Sequence, residues 1–216
     1  MPQAPRQAWH PLSLGSDSVN LSRRQLLSAL ALGLGALTVR PGRASALGGI
    51  LPPLGAPAPE FSLDGVAPAL ATGSRSNAPS EPIGTHRALA DFRGAWLALY
   101  FYPRDFTSGC TLEARGFQRA LPDFQAAGAA VVGISADAPE DHAAFCSSEG
   151  LAYPLLSDPG GQVSRRYGSW LAPFSQRHTF LIDPDGVLRA VWTAVRPAGH
   201  AQEVLAEVQR LQRTGA

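Results

Sequence analysis

The run Trp96-Leu97-Ala98-Leu99-Tyr100-Phe101-Tyr102, closed by Pro103 and followed shortly by Cys110, constrains the fold of this chain more than any other stretch. Continuous apolar and aromatic residues over that length read as a strand buried on both faces of a sheet. Pro103 ends it, because proline has no N–H to give the ladder. Beyond the turn, Leu112, Phe117, Leu121 and Phe124 recur at roughly helical spacing, which places Cys110 in or just before the first turn of a helix. Free N–H groups and the positive end of the helix dipole favour an anion there, so a thiol at that position is disposed toward its reactive thiolate form. A cysteine taken alone reads as a small buried hydrophobe. A strand, a proline stop and a cysteine at a helix start together read as a reactive thiol.

The remaining elements are shorter. Residues 47–59 are a Pro/Gly/Ala tether without periodicity, expected to run over the surface. Residues 60–65 read as a short strand into a turn, and 66–85, rich in Ala, Pro, Ser, Gly and Asn, as a long mobile loop. One helical turn is expected over 87–94, stopped by glycine. Residues 129–135 have the size of a buried strand. A helix follows from Ala138-Pro139-Glu140-Asp141, with proline near its first position and acids in its first turn. It carries His142, Phe145 and Cys146 and is stopped by Gly150. Residues 155–159 make a brief strand and 163–167 a short helix. Residues 179–183 and 187–195 form two strands joined through Pro184-Asp185-Gly186. A last helix over 198–213 carries Val204, Leu205, Val208 and Leu211 on one face, a stripe that belongs to the core. This order specifies one α/β domain of thioredoxin-like topology, a central mixed β-sheet flanked by helices on both faces.

Charge separates the first 46 residues from the rest. All 18 basic residues are arginines, and they form no basic stripe, so neither a nucleic-acid nor a membrane-surface role is indicated. Ser22-Arg23-Arg24-Gln25-Leu26-Leu27 opens an apolar segment that ends at Arg40-Pro41-Gly42-Arg43 and Ala44-Ser45-Ala46. A charged start, a short glycine-broken apolar stretch and an A-x-A site make a signal peptide rather than a membrane span. The paired arginine resembles a twin-arginine (Tat) signal; an ordinary Sec signal or an uncleaved anchor are the alternatives. The chain therefore divides into a signal peptide (1–46), a linker (47–59) and one domain (60–216), with export to a periplasm or a thylakoid lumen. The leader holds five of the arginines and a single acid, which leaves the domain mildly acidic. Both cysteines, Cys110 and Cys146, lie in that domain, and an exported compartment permits them to pair.

Pro103, Thr107 and Cys110 reproduce the Pro-x-x-x-Thr-x-x-Cys signature of peroxiredoxins. The fuller run Phe-Tyr-Pro-Arg-Asp-Phe-Thr-Ser-Gly-Cys-Thr-Leu-Glu resembles the peroxiredoxin Q, or bacterioferritin comigratory protein, subgroup. The resemblance continues through Gly133-Ile134-Ser135, Leu155-Leu156-Ser157-Asp158 and Arg177-His178-Thr179-Phe180-Leu181-Ile182-Asp183, over roughly residues 57–211. It implies a peroxidase acting on hydrogen peroxide or small organic hydroperoxides without metal, haem or flavin, re-reduced by a thioredoxin-like dithiol donor, and a monomer. By the same resemblance Cys110 is the peroxidatic cysteine, oxidised to a sulfenic acid. Thr107 aims its hydroxyl at the sulfur or the peroxide, Arg177 is the distant arginine that supports the thiolate, Pro103 shields the sulfur, and Glu113 has a positioning role. Many members of the subgroup place a resolving cysteine five residues after the first, where this chain has Arg115. Cys146, as in some members, is then the resolving thiol, forming an intramolecular disulfide with Cys110. If the reduced thiols are far apart, that bond requires the first turn around Cys110 to unwind.

Blander readings accompany each residue. Cys146 can be a buried helix residue or half of a permanent disulfide, and the domain a non-catalytic binding or redox-sensing module. Thr107 can simply cap the helix, Arg177 can serve a surface ion pair, and Trp170 belongs to packing. His10, His86, His142, His178 and His200 show no ligand spacing, and no Cys-x-x-Cys occurs. That weakens dithiol exchange and copper handling as rival functions.

Overall fold

The computed structural model describes residues 45–68 and 82–215. Two-residue strands β1 (Ser45–Ala46) and β2 (Gly49–Ile50) come first, then β3 (Ser62–Ala67), β4 (Ile83–Ala88) and a 3-10 turn over Leu89–Phe92. Next are β5 (Trp96–Phe101), α1 (Ser108–Ala126), β6 (Ala129–Ser135), α2 (Pro139–Glu149), β7 (Leu155–Ser157) and α3 (Gln162–Arg166). The small hairpin β8 (Trp170–Leu171) and β9 (Phe174–Ser175) leads to β10 (His178–Ile182), β11 (Leu188–Trp192) and α4 (His200–Thr214).

Seven strands form the central sheet in the order β11-β10-β5-β6-β7-β3-β4. The strands β5, β6 and β7 are parallel, and the other pairings are antiparallel, so the sheet is mixed as expected. Every residue of β5 is buried. The pleat divides its side chains between two cores. Trp96, Ala98, Tyr100 and Tyr102 join α1, α2 and α4 through Phe117, Phe124, Phe145, Val204 and Val208. Leu97, Leu99 and Phe101 face the opposite side, with Phe61, Leu89, Val163, Tyr167 and Phe180. Gly150 ends α2 in the left-handed conformation at φ 62°, its N–H bonded to the Cys146 carbonyl, as the sequence indicates.

Two expectations are corrected and one is sharpened. The tether at 47–59 runs over the surface as expected, with Ala58 alone buried, and backbone hydrogen bonds dock it there. Gly55 N–H donates to the Leu188 carbonyl, Leu188 N–H to Ala56 and Ala58 N–H to Gly186, and Ala58 is buried. The segment thereby occupies backbone groups that the edge strand β11 would otherwise leave open. The region 66–85 is not loop throughout: β3 extends to Ala67 and pairs with β4 in the register Ala67↔Ile83. The edge strand β4 has little buried surface, so its sequence carries no apolar alternation. Residues 69–81 of the expected loop, and the leader up to residue 44, lie outside the described residues. The turn expected over 87–94 is shorter, Leu89–Phe92, and opens on a bond from Ala88 N–H to the Asp91 carboxylate.

Phe117 is fully buried on α1, ring-stacked on Tyr100 of β5 with centroids 4.7 Å apart and edge-on to His200 of α4. Phe117→Ala should therefore lower the unfolding free energy by about 3–5 kcal/mol in urea titrations.

Candidate active site

Cys110 is the third residue of α1 and lies in its first turn, where backbone N–H groups lack helical acceptors. It is 1% exposed. His178 pairs with Phe101 across β10 and β5, so Arg177, one residue earlier, lies beside the strand end from which the cysteine loop departs. From there Arg177 Nη2 donates to Cys110 Sγ at 3.3 Å, and Nη1 donates to Glu113 Oε2. Glu113 is one turn beyond Cys110 on the same helix face, which lets one planar guanidinium reach both. Gly109 leaves room for the approach: a Cβ there would lie 3.1 Å from Arg177 Nη2, a contact from which the guanidinium would have to shift by a few tenths of an ångström.

Burial dominates the electrostatics. It pushes the Glu113 carboxyl up to about 7, with Arg177 pulling the other way. Burial also opposes the Arg177 charge, but Glu113 and Cys110 more than offset it, and Arg177 is held above its ordinary range. Glu113 Oε1 is buried without a hydrogen-bond partner among the described residues. The triad is thus cation, carboxylate and sulfur, and burial brings its carboxylate to a change of charge near neutrality.

Thr107 is the N-cap residue by backbone conformation, but its side chain does not cap. The hydroxyl turns back to donate to the Arg104 carbonyl at 3.1 Å. This rules out the capping alternative, and among the described residues the hydroxyl oxygen accepts no hydrogen bond. Pro103 is half-buried, two residues beyond the end of β5. Phe106 is a non-glycine residue at φ 60°, a conformation that costs about 1–3 kcal/mol where it is not enforced by its surroundings. Its exposed ring stands edge-on to Phe145 of α2 with centroids 5.2 Å apart.

Cys146 sits on α2 in the same core as Cys110, and both thiols are free. Burial pushes the Cys146 thiol up to about 12, and the charge of Asp105 adds to the effect. Arg115, which stands where many subgroup members have a second cysteine, instead forms an ion pair with Glu149 near the end of α2. The helices bearing the two cysteines are thereby tied at their surface.

Sequence reasoning missed a buried polar chain beside this site. Tyr102 O–H donates to Asp105 Oδ1 at 2.7 Å, and His142 Nδ1 lies 2.7 Å from Asp105 Oδ2. Asp105 N–H and Ser135 O–H both donate to Asp137 Oδ2. Asp105, Asp137 and His142 bring ligand-type atoms within 4.8 Å of one another. Hydrogen bonds account for that convergence. The available signal was the placement of His142 one turn before Cys146 on one helix. A second polar relay, Ser62, His86 and Asp64, links β3 and β4 with 2.7 Å contacts, but its histidine and carboxylate side chains are 58% and 81% exposed.

A buried thiol at a helix start, held by a guanidinium on a mixed sheet with helices on both faces, defines a thiol-dependent peroxidase of thioredoxin-like fold. The AhpC/TSA family pattern matches residues 54–191, and the chain belongs to that family. Peroxiredoxin Bcp of Xanthomonas campestris is 39% identical over 135 residues, covering 58% of this chain and 84% of its own length. The chloroplastic Peroxiredoxin Q of Sedum lineare is 37% identical, covering 58% of this chain and 69% of its own. Among solved structures, Xanthomonas campestris Peroxiredoxin Q superposes with a TM-score of 0.57 at 38% identity, over 59% of this chain and 85% of that one. Peroxidoxin BcpB of Mycobacterium tuberculosis gives 0.60 at 30% identity, over 73% and 97%.

The raised Glu113 sets a pH-dependent term in stability. Its folded value lies above the unfolded one, so the wild type loses stability as pH rises from about 5 to about 8. Glu113→Gln lacks that loss. Urea unfolding across this range should show the stability difference moving steadily in the variant's favour as pH rises.

Proposed function

We propose that Cys110 is the peroxidatic cysteine and Cys146 the resolving one. The observation that carries this reading is the 3.3 Å contact from Arg177 Nη2 to a thiol in the first turn of α1. The Cys110 thiolate attacks one peroxide oxygen; the S–O bond forms as the O–O bond breaks, and the alkoxide or hydroxide leaves as alcohol or water after taking a proton. Arg177 balances charge on the sulfur and on the oxygens as it develops. The Thr107 hydroxyl and loop N–H groups supply further contacts to the peroxide, and Pro103 limits water at the sulfur. Glu113 touches neither reactant. It holds the guanidinium in place.

Resolution follows when Cys146 Sγ attacks the sulfenic sulfur, releasing water and forming the Cys110–Cys146 disulfide. Solved structures of Xanthomonas campestris Peroxiredoxin Q include two cysteine-to-serine mutants whose positions stand as far apart in sequence as Cys110 and Cys146. That spacing supports the pairing. A disulfide needs Cα atoms within ~7 Å, and a first helical turn without a side-chain cap opens at low cost. The bacterioferritin comigratory protein of that organism has structures concerned with its alkyl peroxide reduction activity. Hydrogen peroxide and small organic hydroperoxides are the substrates this favours here. A thioredoxin-like dithiol would restore both cysteines, and the enzyme would work as a monomer. The paired arginine, apolar stretch and Ala-Ser-Ala of the leader support Tat-dependent export to a periplasm or thylakoid lumen.

Stopped-flow mixing of the reduced protein with one equivalent of peroxide tests the reading. Cys110→Ser should abolish rapid oxidation. Cys146→Ser should retain it, but intact mass should show sulfenic or overoxidised Cys110 and multiple turnover with a dithiol donor should fail. Oxidation unaffected by Cys110→Ser contradicts the first assignment, and normal cycling of Cys146→Ser the second.

A further inference from the structure

We propose that His142 is the general base that takes the proton from Cys146 as it attacks the sulfenic form of Cys110. The inference rests on the resolving role proposed above and adds a residue to that step. His142 is fully buried. Since a carboxylate only accepts, the 2.7 Å contact with Asp105 Oδ2 makes Nδ1 the donor, so Nε2 is the acceptor of the neutral ring. Nε2 is buried and has no hydrogen-bond partner among the described residues. Buried polar atoms are rarely left in that state, and an open acceptor on an oriented imidazole is a proton-transfer site waiting for its donor.

The donor stands one helical turn away. His142 and Cys146 are four residues apart on α2, hence on one face. Helical side chains lean toward the N-terminus, which brings Cys146 toward the turn that carries His142; no hydrogen bond joins the two side chains among the described residues, so proton transfer requires the thiol to turn onto Nε2. Asp105 locates the pair independently: it bonds the imidazole, and its charge also bears on the Cys146 thiol. The other titratable groups on this imidazole are Tyr102, 3.3 Å from Nδ1 and kept protonated by burial and Asp105, and Asp137, which holds Asp105 through its backbone N–H. Because His142 and Cys146 share α2, a rearrangement confined to the turn around Cys110 leaves them together.

The need for a base follows from burial. The thiolate is the attacking form in disulfide formation, and Cys146 is held as a thiol. Nε2 takes the Sγ proton, and the sulfur attacks Cys110 Sγ. The S–S bond forms as the S–O bond breaks, and the leaving hydroxide takes the proton back from Nε2 and departs as water. Cys146 sulfur is oxidised, the sulfenic sulfur is reduced, and no outside reagent is consumed. Asp105 is the positioning residue, fixing the tautomer and supporting the transient imidazolium.

The test is two-phase stopped-flow oxidation of the reduced full-length protein by one equivalent of hydrogen peroxide, across pH, for wild type and His142→Gln. Peptide mass mapping identifies the disulfide. In the variant the peroxide-dependent phase should persist and the disulfide-forming phase should slow by about 100-fold. That phase should also lose the inflection of an imidazole and rise with pH throughout. A disulfide phase within threefold of wild type, or one that is slower with the wild-type pH profile, overturns the proposal; the second result marks a structural role. If His142→Gln loses the peroxide-dependent phase as well, Asp105→Asn is read by the same criterion, with about tenfold slowing and a displaced inflection expected. If wild type itself forms no Cys110–Cys146 disulfide, the resolving reading has failed rather than the choice of base.

Discussion

One guanidinium holds the reactive end of this molecule together. Arg177 places its two terminal nitrogens on different partners, a sulfur and a carboxylate that the helix α1 presents one turn apart. Each partner alone would be a buried group of awkward charge. Together they share a cation that Arg, with its fixed fork, can divide and that Lys cannot. Removing one member of a buried ion pair typically costs about 3–5 kcal/mol, because the other is left uncompensated. The surrounding fold reads as the means of bringing these three residues together: the antiparallel register of β10 on β5 delivers Arg177, Pro103 stops β5, and Gly109 clears the space.

The arrangement is rigid on one side and yielding on the other. Beneath α1, Phe117 and Tyr100 stack in a closed aromatic core. At its N-terminus the helix has a cap residue whose side chain does not cap, and the preceding Phe106 holds a left-handed backbone. The polar chain through Tyr102, Asp105 and His142 fastens that loop to α2, while Arg115 and Glu149 fasten the two helices further along. A thiol peroxidase that must first hide its sulfur and then hand it to a second thiol needs both properties in adjacent segments.

Much of this was legible in the residues. The run from Trp96 to Tyr102 announced a doubly buried strand because that depends on a local pattern, and the Pro, Thr and Cys after it pointed to the candidate site through the family signature they resemble. Arg177 was legible only through the resemblance, since its partner Glu113 is 64 residues away and no periodicity links them. The chain through Asp105 and His142 was hidden for the same reason: hydrogen bonds across 37 residues leave no spacing to find. The edge strand β4 and the docked segment before β3 escaped because backbone pairing at an edge asks little of side chains. The capping alternative for Thr107 fails because Arg104, three residues back, offers its hydroxyl an acceptor.

The central claim is that Arg177 activates Cys110. Its most direct test is the second-order rate constant for oxidation by hydrogen peroxide in a Cys146→Ser background, which isolates the first step, with and without Arg177→Gln. The account predicts a fall of about 100-fold or more when the guanidinium is lost. Rate constants that agree within twofold, in a variant whose far-UV spectrum is native, would contradict it.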